Sequence, residues 1–170
     1  LWCAAREGFE VAGIDISVSA IDGARARFAK EGLSGDFTAA GFAPLPFAEG
    51  DFDLVIDRAS TTCVTLPEMK AAVEEARRVL SSGGFMFLQG YGDRHSSAGS
   101  GSPSHGRSRV DITQGSLAGQ AQITFLAQSD IEEIFGAGWQ LSQMQEVVME
   151  DQLGGDHPRH VEWRVIAQKL

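Results

Sequence analysis

An acid that closes an apolar run and is followed at once by a helix start is a place where a sugar can be held. Asp15 stands there, at the end of FEVAGID and just ahead of Ser17. A carboxylate in that position can accept hydrogen bonds from both hydroxyls of a ribose, a common grip on nucleotide-type cofactors. It can equally be a helix-start acid favoured by the helix dipole. The loop from Gly41 to Phe47 and the pair Asp57–Arg58, which closes FDLVID, are two further polar features at run ends. For Asp57 the plain alternative is a turn carboxylate paired with Arg58. Tyr91 and His95 follow another apolar run, FMFLQ. His95 carries the side chain whose ordinary pKa suits proton transfer near neutrality. A solvated histidine in a loop is its other reading. His157 and His160 are separated by Pro158 and Arg159. Without a helix to bring them onto one face, an exposed turn is expected there and no metal site.

These residues need elements to position them, and the hydrophobic pattern supplies them. LWCAAREG reads as a helix end closed by Gly8, and Phe9–Asp15 as a buried strand. Ser17 can cap a helix to about Lys30, with Ile21, Ala24 and Phe28 on one face and Gly32 closing it. A weak strand over Asp36–Ala39 leads into the turn-rich GFAPLPFAEGD. Phe52–Asp57 is the clearest buried strand. Thr65 and Glu68 have capping-box spacing, and Met69, Val73, Ala76 and Leu80 line the helix they open. Ser81–Gly84 is expected to end that helix before the strand Phe85–Gln89.

The pattern then changes. Gly92–Ser108 is glycine- and serine-rich, with little of its own to bury, so a mobile lid or a disordered loop is expected. Gln122–Leu126 has the pattern of a short strand. Ser129 and Glu132 suggest a second capping box, ahead of Ile131, Ile134 and Phe135 on an inner helix face, with Gly136 and Gly138 as the stop. Trp139–Met149 and His160–Lys169 flank Gly154–Gly155 and read as an antiparallel hairpin. Short apolar strands alternating with amphipathic helices imply an α/β fold with a mostly parallel, doubly wound sheet, ending in that hairpin.

Composition narrows the function classes. The formal net charge of −9 opposes nucleic acid, and the short basic pairs fall in helical patterns or in the glycine-rich loop. No apolar run approaches the ~20 residues of a membrane span. Cys3 and Cys63 make no CxxC, so a disulfide framework is not expected, and a reducing cytoplasm is the default setting.

Taken in order, GFEVAGIDIS, GFAPLPFAEGDFDLVIDRAS and EEARRVLSSGGFMFL resemble the second half of the class I S-adenosylmethionine-dependent methyltransferase signature. The terminal antiparallel hairpin is a hallmark of that fold, and the resemblance spans nearly the whole chain. It implies one methyltransferase-like domain, 1–170, without its first strand and glycine loop. In the family that strand is central, between the strands placed here at 9–15 and 52–57. A sheet without it would leave backbone groups unpaired in the core, so an upstream segment is expected.

The resemblance also implies roles. Asp15 would bind the ribose hydroxyls and Ile16 would pack on the adenine. Gly41 and Phe42 fall where the family has an acid for the adenine amino group and a backbone N–H for the ring. Gly41 can supply no carboxylate, whereas the Phe42 backbone contact remains. Asp57 and Arg58 would border the methionine end of S-adenosylmethionine and the substrate, and Tyr91 and His95 would lie on the substrate side. The implied activity is methyl transfer to a small-molecule acceptor, with no base fixed by the sequence. A nicotinamide-dependent oxidoreductase also fits Asp15, but the hairpin argues for the methyltransferase. A degenerate methyltransferase-like binding module without catalysis is the non-enzymatic alternative, supported by Gly41 and the absent glycine loop.

Overall fold

The computed structural model describes residues 1–153 and 158–170. The chain divides into two compact units, Leu1–Pro46 and Phe47–Leu170.

The first unit is a small parallel β-α-β arrangement. Helix α1 (Trp2–Arg6) precedes β1 (Ala12–Asp15), α2 (Val18–Lys30) and β2 (Asp36–Ala39). Ser17 caps α2, its hydroxyl accepting the Ala20 N–H at 3.3 Å, and Gly32 follows its end at φ +67°. β1 and β2 pair in parallel from Ala12 opposite Asp36 to Asp15 opposite Ala39. β1 is therefore shorter than the apolar run Phe9–Asp15: its ladder extends only as far as the four-residue partner β2. Ile21, Phe28 and Phe37 form the core of this unit, with Ala24 and Val11 packed on it. The Phe28 and Phe37 rings meet edge to face at 4.7 Å, a geometry that places ring hydrogens on the electron-rich face.

The second unit is built on a four-stranded sheet. Its strands are β3 (Phe52–Arg58), β4 (Leu80–Tyr91), β9 (Arg159–Lys169) and β8 (Trp139–Glu150), in the order β3-β4-β9-β8. β3 and β4 are parallel and joined through α3 (Leu66–Val79). β9 runs antiparallel to β4, and β8 antiparallel to β9. The expected C-terminal hairpin is thus present, from Trp139 opposite Lys169 to Glu150 opposite Arg159. Its expected turn at Gly154–Gly155 lies outside the described residues. At the start of α3, the Thr65 N–H donates to the Glu68 carboxylate at 2.8 Å and the Thr65 hydroxyl does so at 2.6 Å. Met69, Val73 and Ala76 then bury one face against Met86, Leu88, Val165 and Ala167.

Three local expectations change. Leu80 belongs to β4, not to the helix: it pairs with Phe52, and the strand includes Ser81–Gly84. Glycine is needed within that stretch, because a Cβ on Gly84 would lie 3.0 Å from the Ser81 carbonyl oxygen and 3.2 Å from that of Asp53. The last helix, α4 (Gln128–Ile134), begins earlier than the Ser129/Glu132 spacing suggests. Ala127 is its cap residue and has no side-chain acceptor. Asp130 supplies the returning half of the box, accepting the Ala127 N–H at 2.8 Å. Its inner face is as expected, with Ile131, Ile134 and Phe135 buried.

The third change concerns Gly92–Ser108, which is neither structureless nor short of things to bury. Together with the residues up to Thr124 it forms a small antiparallel sheet of β5 (Ser102–Pro103), β6 (Ser108–Val110) and β7 (Gln122–Thr124). Ile112, Leu117, Ile123 and Phe125 give it a core of its own, against which Tyr91 and Ala98 pack. Ser97, Ser100 and Ser108 face inward and satisfy polar groups there. Ser97 Oγ accepts the Leu117 N–H at 3.3 Å, Ser100 Oγ accepts that of Gln114 at 3.3 Å, and the hydroxyls of Ser108 and Thr124 bond at 2.6 Å. A Gly/Ser-rich composition here reflects close packing of polar loops.

Candidate functional site

In the first unit, Asp15, Ile16, Gly41 and Phe42 gather at the carboxyl ends of β1 and β2. The Ala40 N–H donates to the Asp15 carbonyl at 3.0 Å, which ties the two strand ends together. One Asp15 carboxylate oxygen accepts the Ser17 N–H at 2.8 Å. The other has no protein partner among the described residues, and the side chain is exposed. Ile16 beside it is 80% exposed, an apolar side chain with nothing to cover it. A Cβ on Gly41 would meet no atom within 4 Å. An available carboxylate, an uncovered aliphatic side chain and open space over the next strand end suit a ribose with a flat aromatic base beside it.

In the second unit, the carboxyl ends of β3 and β4 carry Asp57, Arg58 and Tyr91. Asp57 is buried and is not paired with Arg58. Its carboxylate accepts the Ser60 N–H at 2.8 Å, the Thr61 N–H at 3.3 Å and the Thr61 hydroxyl. It thereby fixes the 3-10 turn Thr61–Cys63 over the strand end. Arg58 is exposed, and its Nε donates to the Gln89 side-chain oxygen at 3.4 Å. Gln89 in turn donates to Glu162 on β9.

His95 is not a solvated loop residue. It is 3% exposed, at the start of the 3-10 turn Ser96–Gly99, where its Nδ1 accepts the Ser97 N–H at 3.0 Å. Its Nε2 lies 3.3 Å from His160 Nδ1 and 3.3 Å from Ser116 Oγ. His160 Nε2 lies 3.3 Å from the Glu162 carboxylate, which also accepts from Arg164 Nε at 2.7 Å. Tyr91 sets its ring edge to face against both imidazoles, at 5.7 Å from His95 and 5.9 Å from His160. The structure thus brings Tyr91 and His95 together, as the sequence suggested, and adds His160, Glu162 and Ser116. His160 sits in a strand, not in an exposed turn. A signal for it was present in the alternation of β9: His160, Glu162 and Arg164 share one face of a strand at period two.

Burial, followed by the neighbouring His160, lowers the His95 pKa to about 4. Burial pushes the Glu162 carboxyl up, but hydrogen bonds from Arg164, His160 and Gln89 outweigh it and hold the group below its ordinary value. Tyr91 is raised, chiefly by burial and then by Cys63 and Glu162. The His95 shift has a consequence for stability. The unfolded chain takes up a proton near pH 6.5 that the folded chain refuses until about pH 4. The stabilisation from a neutral His95 is therefore complete above pH 6.5 and lost as the pH falls toward 4, at up to about 1.4 kcal/mol per pH unit. His95→Gln should flatten this acid limb. Urea midpoints at pH 7 and pH 5 measure it, and an equal acid loss in both proteins would contradict the assignment.

An α/β chain with ligand-ready residues at the carboxyl ends of its parallel strands and an antiparallel C-terminal hairpin has the Rossmann-like fold of nucleotide-cofactor enzymes. Residues 1–84 match the family model described as methyltransferase domain. Solved structures agree on the fold. A SAM-dependent methyltransferase from Methanosarcina mazei matches with a TM-score of 0.80 at 20% identity, over 99% of this chain and 86% of that one. An S-adenosylmethionine-dependent methyltransferase from Clostridium acetobutylicum matches with a TM-score of 0.73 at 11% identity, over 98% and 77%. The [4+2]-cyclase SpnF matches with a TM-score of 0.72 at 19% identity, over 99% and 70%. No curated protein sequence matches the chain. The first 84 residues thus resemble a methyltransferase domain, and the chain as a whole has the fold of S-adenosylmethionine-dependent methyltransferases, whose cofactor is S-adenosylmethionine. Among the described residues no helix is long and apolar enough to cross a membrane.

Proposed function

We propose that the protein transfers a methyl group from S-adenosylmethionine to a small-molecule acceptor. The observation that carries this reading is the edge formed by Asp15, Ile16 and Gly41, on the stretch that matches the methyltransferase family. When bound, S-adenosylmethionine supplies an electrophilic methyl carbon, so the hard chemistry comes with the cofactor. The first unit holds the ribose through Asp15 and the adenine against Ile16, with the Phe42 backbone N–H to the ring. Gly41 provides room but no carboxylate, so the adenine amino group is recognised by other groups or by water. Within the second unit, Arg58, Tyr91 and His160 are the polar groups available to an acceptor, and Asp57 anchors the turn near them, since its oxygens already hold Ser60 and Thr61. The net charge of −9 favours a small acceptor over a nucleic acid.

The fold alone does not decide the reaction, as a cyclase among the structural neighbours illustrates. The test is turnover. The purified protein is incubated with S-adenosylmethionine and separate small phenols, carboxylic acids and amines, and demethylated cofactor and methylated product are followed by mass spectrometry. Stoichiometric appearance of both with at least one acceptor class is expected. Binding of the cofactor with no transfer to any of them would favour the non-catalytic binding module.

A further inference from the structure

We propose that the cavity beside the turn joining β5 to β6 is a binding site for a small carboxylate, with Arg109 as its principal grip and Arg107 as the second donor. Asp93, Ala98, Gly106, Arg107, Arg109 and Phe125 line a space of about 250 Å³. All six belong to the second unit. At about 30 Å³ per water molecule, that space suits a short organic acid accompanied by a few waters. The walls offer little apolar surface: Ala98 and Phe125 are the apolar members, and Phe125 is only 1% exposed. A ligand here is held by charge and hydrogen bonds.

The chemistry starts from Arg109. The chain has 23 aspartates and glutamates against 14 lysines and arginines, so a half-buried arginine has many acids to pair with. Arg109 pairs with none of them among the described residues. Its Nε donates to the Ala98 carbonyl at 3.2 Å and its Nη1 to the Ser108 carbonyl at 3.3 Å. These neutral acceptors fix the plane of the guanidinium but leave its charge unmatched. Its Nη2 has no hydrogen-bond partner among the described residues. Arg107 lines the same cavity. Its Nε donates to the Asp130 carboxylate at 2.9 Å, which anchors the side chain, while its Nη1 stands 3.7 Å from Asp93, beyond hydrogen-bond reach. Guanidinium groups held in place beforehand lose little freedom when an anion arrives, and their forked N–H groups match the two oxygens of a carboxylate. Asp130 matches the charge of Arg107, Arg109 has no such match, and Asp93 opposes a second negative charge at the wall. The site therefore takes a monoanion in preference to a dianion such as sulfate.

NMR of the 15N-labelled protein tests this, with sodium acetate titrated at pH 7 against sodium chloride at equal ionic strength. Acetate should shift the Arg109 Nε–H and the backbone amides of Arg107 and Arg109 saturably, with a dissociation constant on the order of millimolar, as suits so small a ligand. Chloride should give no saturation, and sulfate should bind no more tightly than acetate. Shifts that grow linearly with acetate and chloride alike, or tighter binding of sulfate, would overturn the proposal. Arg109→Gln should weaken acetate by about tenfold or more, the loss of a hydrogen bond from a charged donor. Undiminished binding in that variant would also overturn it. Because Arg109→Gln removes the bonds to Ala98 and Ser108 as well, a second variant tests the site by a gain that a disturbed fold would not produce. The Asp93 residue is exposed, and its side-chain ion pair among the described residues is the loose one with Arg107. Asp93→Asn should tighten acetate by about two- to fivefold, the size of an exposed charge interaction. Unchanged or weaker binding in the folded Asp93→Asn protein would overturn the assignment.

Discussion

Replacing Asp15 with alanine is expected to weaken S-adenosylmethionine binding by several kcal/mol, while leaving the fold intact. The carboxylate is exposed, and one of its oxygens meets no protein group among the described residues. Hydrogen bonds from two ribose hydroxyls to a charged acceptor contribute about 1.5–3 kcal/mol each before water compensates. The loss should therefore be read in Kd as tens-fold to a thousand-fold or more. Its cost to the protein is smaller, because the bond from the Ser17 N–H at 2.8 Å lies at an exposed helix start where water can replace it. Asp15→Asn separates charge from geometry: it retains an acceptor oxygen and should lose less. Calorimetric titration of the three proteins measures this, and equal affinity in all three would remove Asp15 from the site.

Trp163→Ala should cost the second unit about 3–5 kcal/mol, the range for deleting a large buried aromatic side chain. Trp163 is 7% exposed in the main core cluster, where its indole N–H donates to the Leu126 carbonyl at 2.9 Å. That bond links β9 to the segment between β7 and α4, beside the strand face that carries His160 and Glu162. The Leu126 carbonyl also accepts the Asp93 N–H at 3.0 Å, so it does not become an orphan. The cavity is then the main term. Trp163→Phe should cost less, because it keeps most of the ring volume and loses one donor. Urea unfolding followed by circular dichroism distinguishes the two variants. A loss below about 1.5 kcal/mol for the alanine variant would show that the site has collapsed around the gap.

What could be read from the sequence was the part governed by local rules. Ser17 and the Thr65/Glu68 pair marked helix starts because capping depends on side chains a few residues apart. Alternation in Val161, Trp163, Val165 and Ala167 revealed the hairpin strand, and all four are buried. Asp15 was legible as an acid closing a strand. What the sequence hid depended on distant partners. β1 stops short because β2 is short, and Leu80 leaves the helix because Phe52 claims it in the sheet. The Gly/Ser-rich segment looked unable to bury itself, since serine reads as polar in any window. Here Ser97, Ser100 and Ser108 are buried with backbone or hydroxyl partners up to 20 residues away. The link between His95 and His160 spans 65 residues and is made only when β9 lies beside β4. No spacing rule shows such a pair, although the shared face of His160, Glu162 and Arg164 pointed to one half of it.

The most direct measurement is calorimetric titration of the purified wild-type protein with S-adenosylmethionine and, separately, with a nicotinamide dinucleotide. Saturable one-to-one binding of S-adenosylmethionine, with no heat from the dinucleotide, is the expected result. Saturable binding of the dinucleotide with none of S-adenosylmethionine would contradict the methyltransferase reading and leave an oxidoreductase in its place.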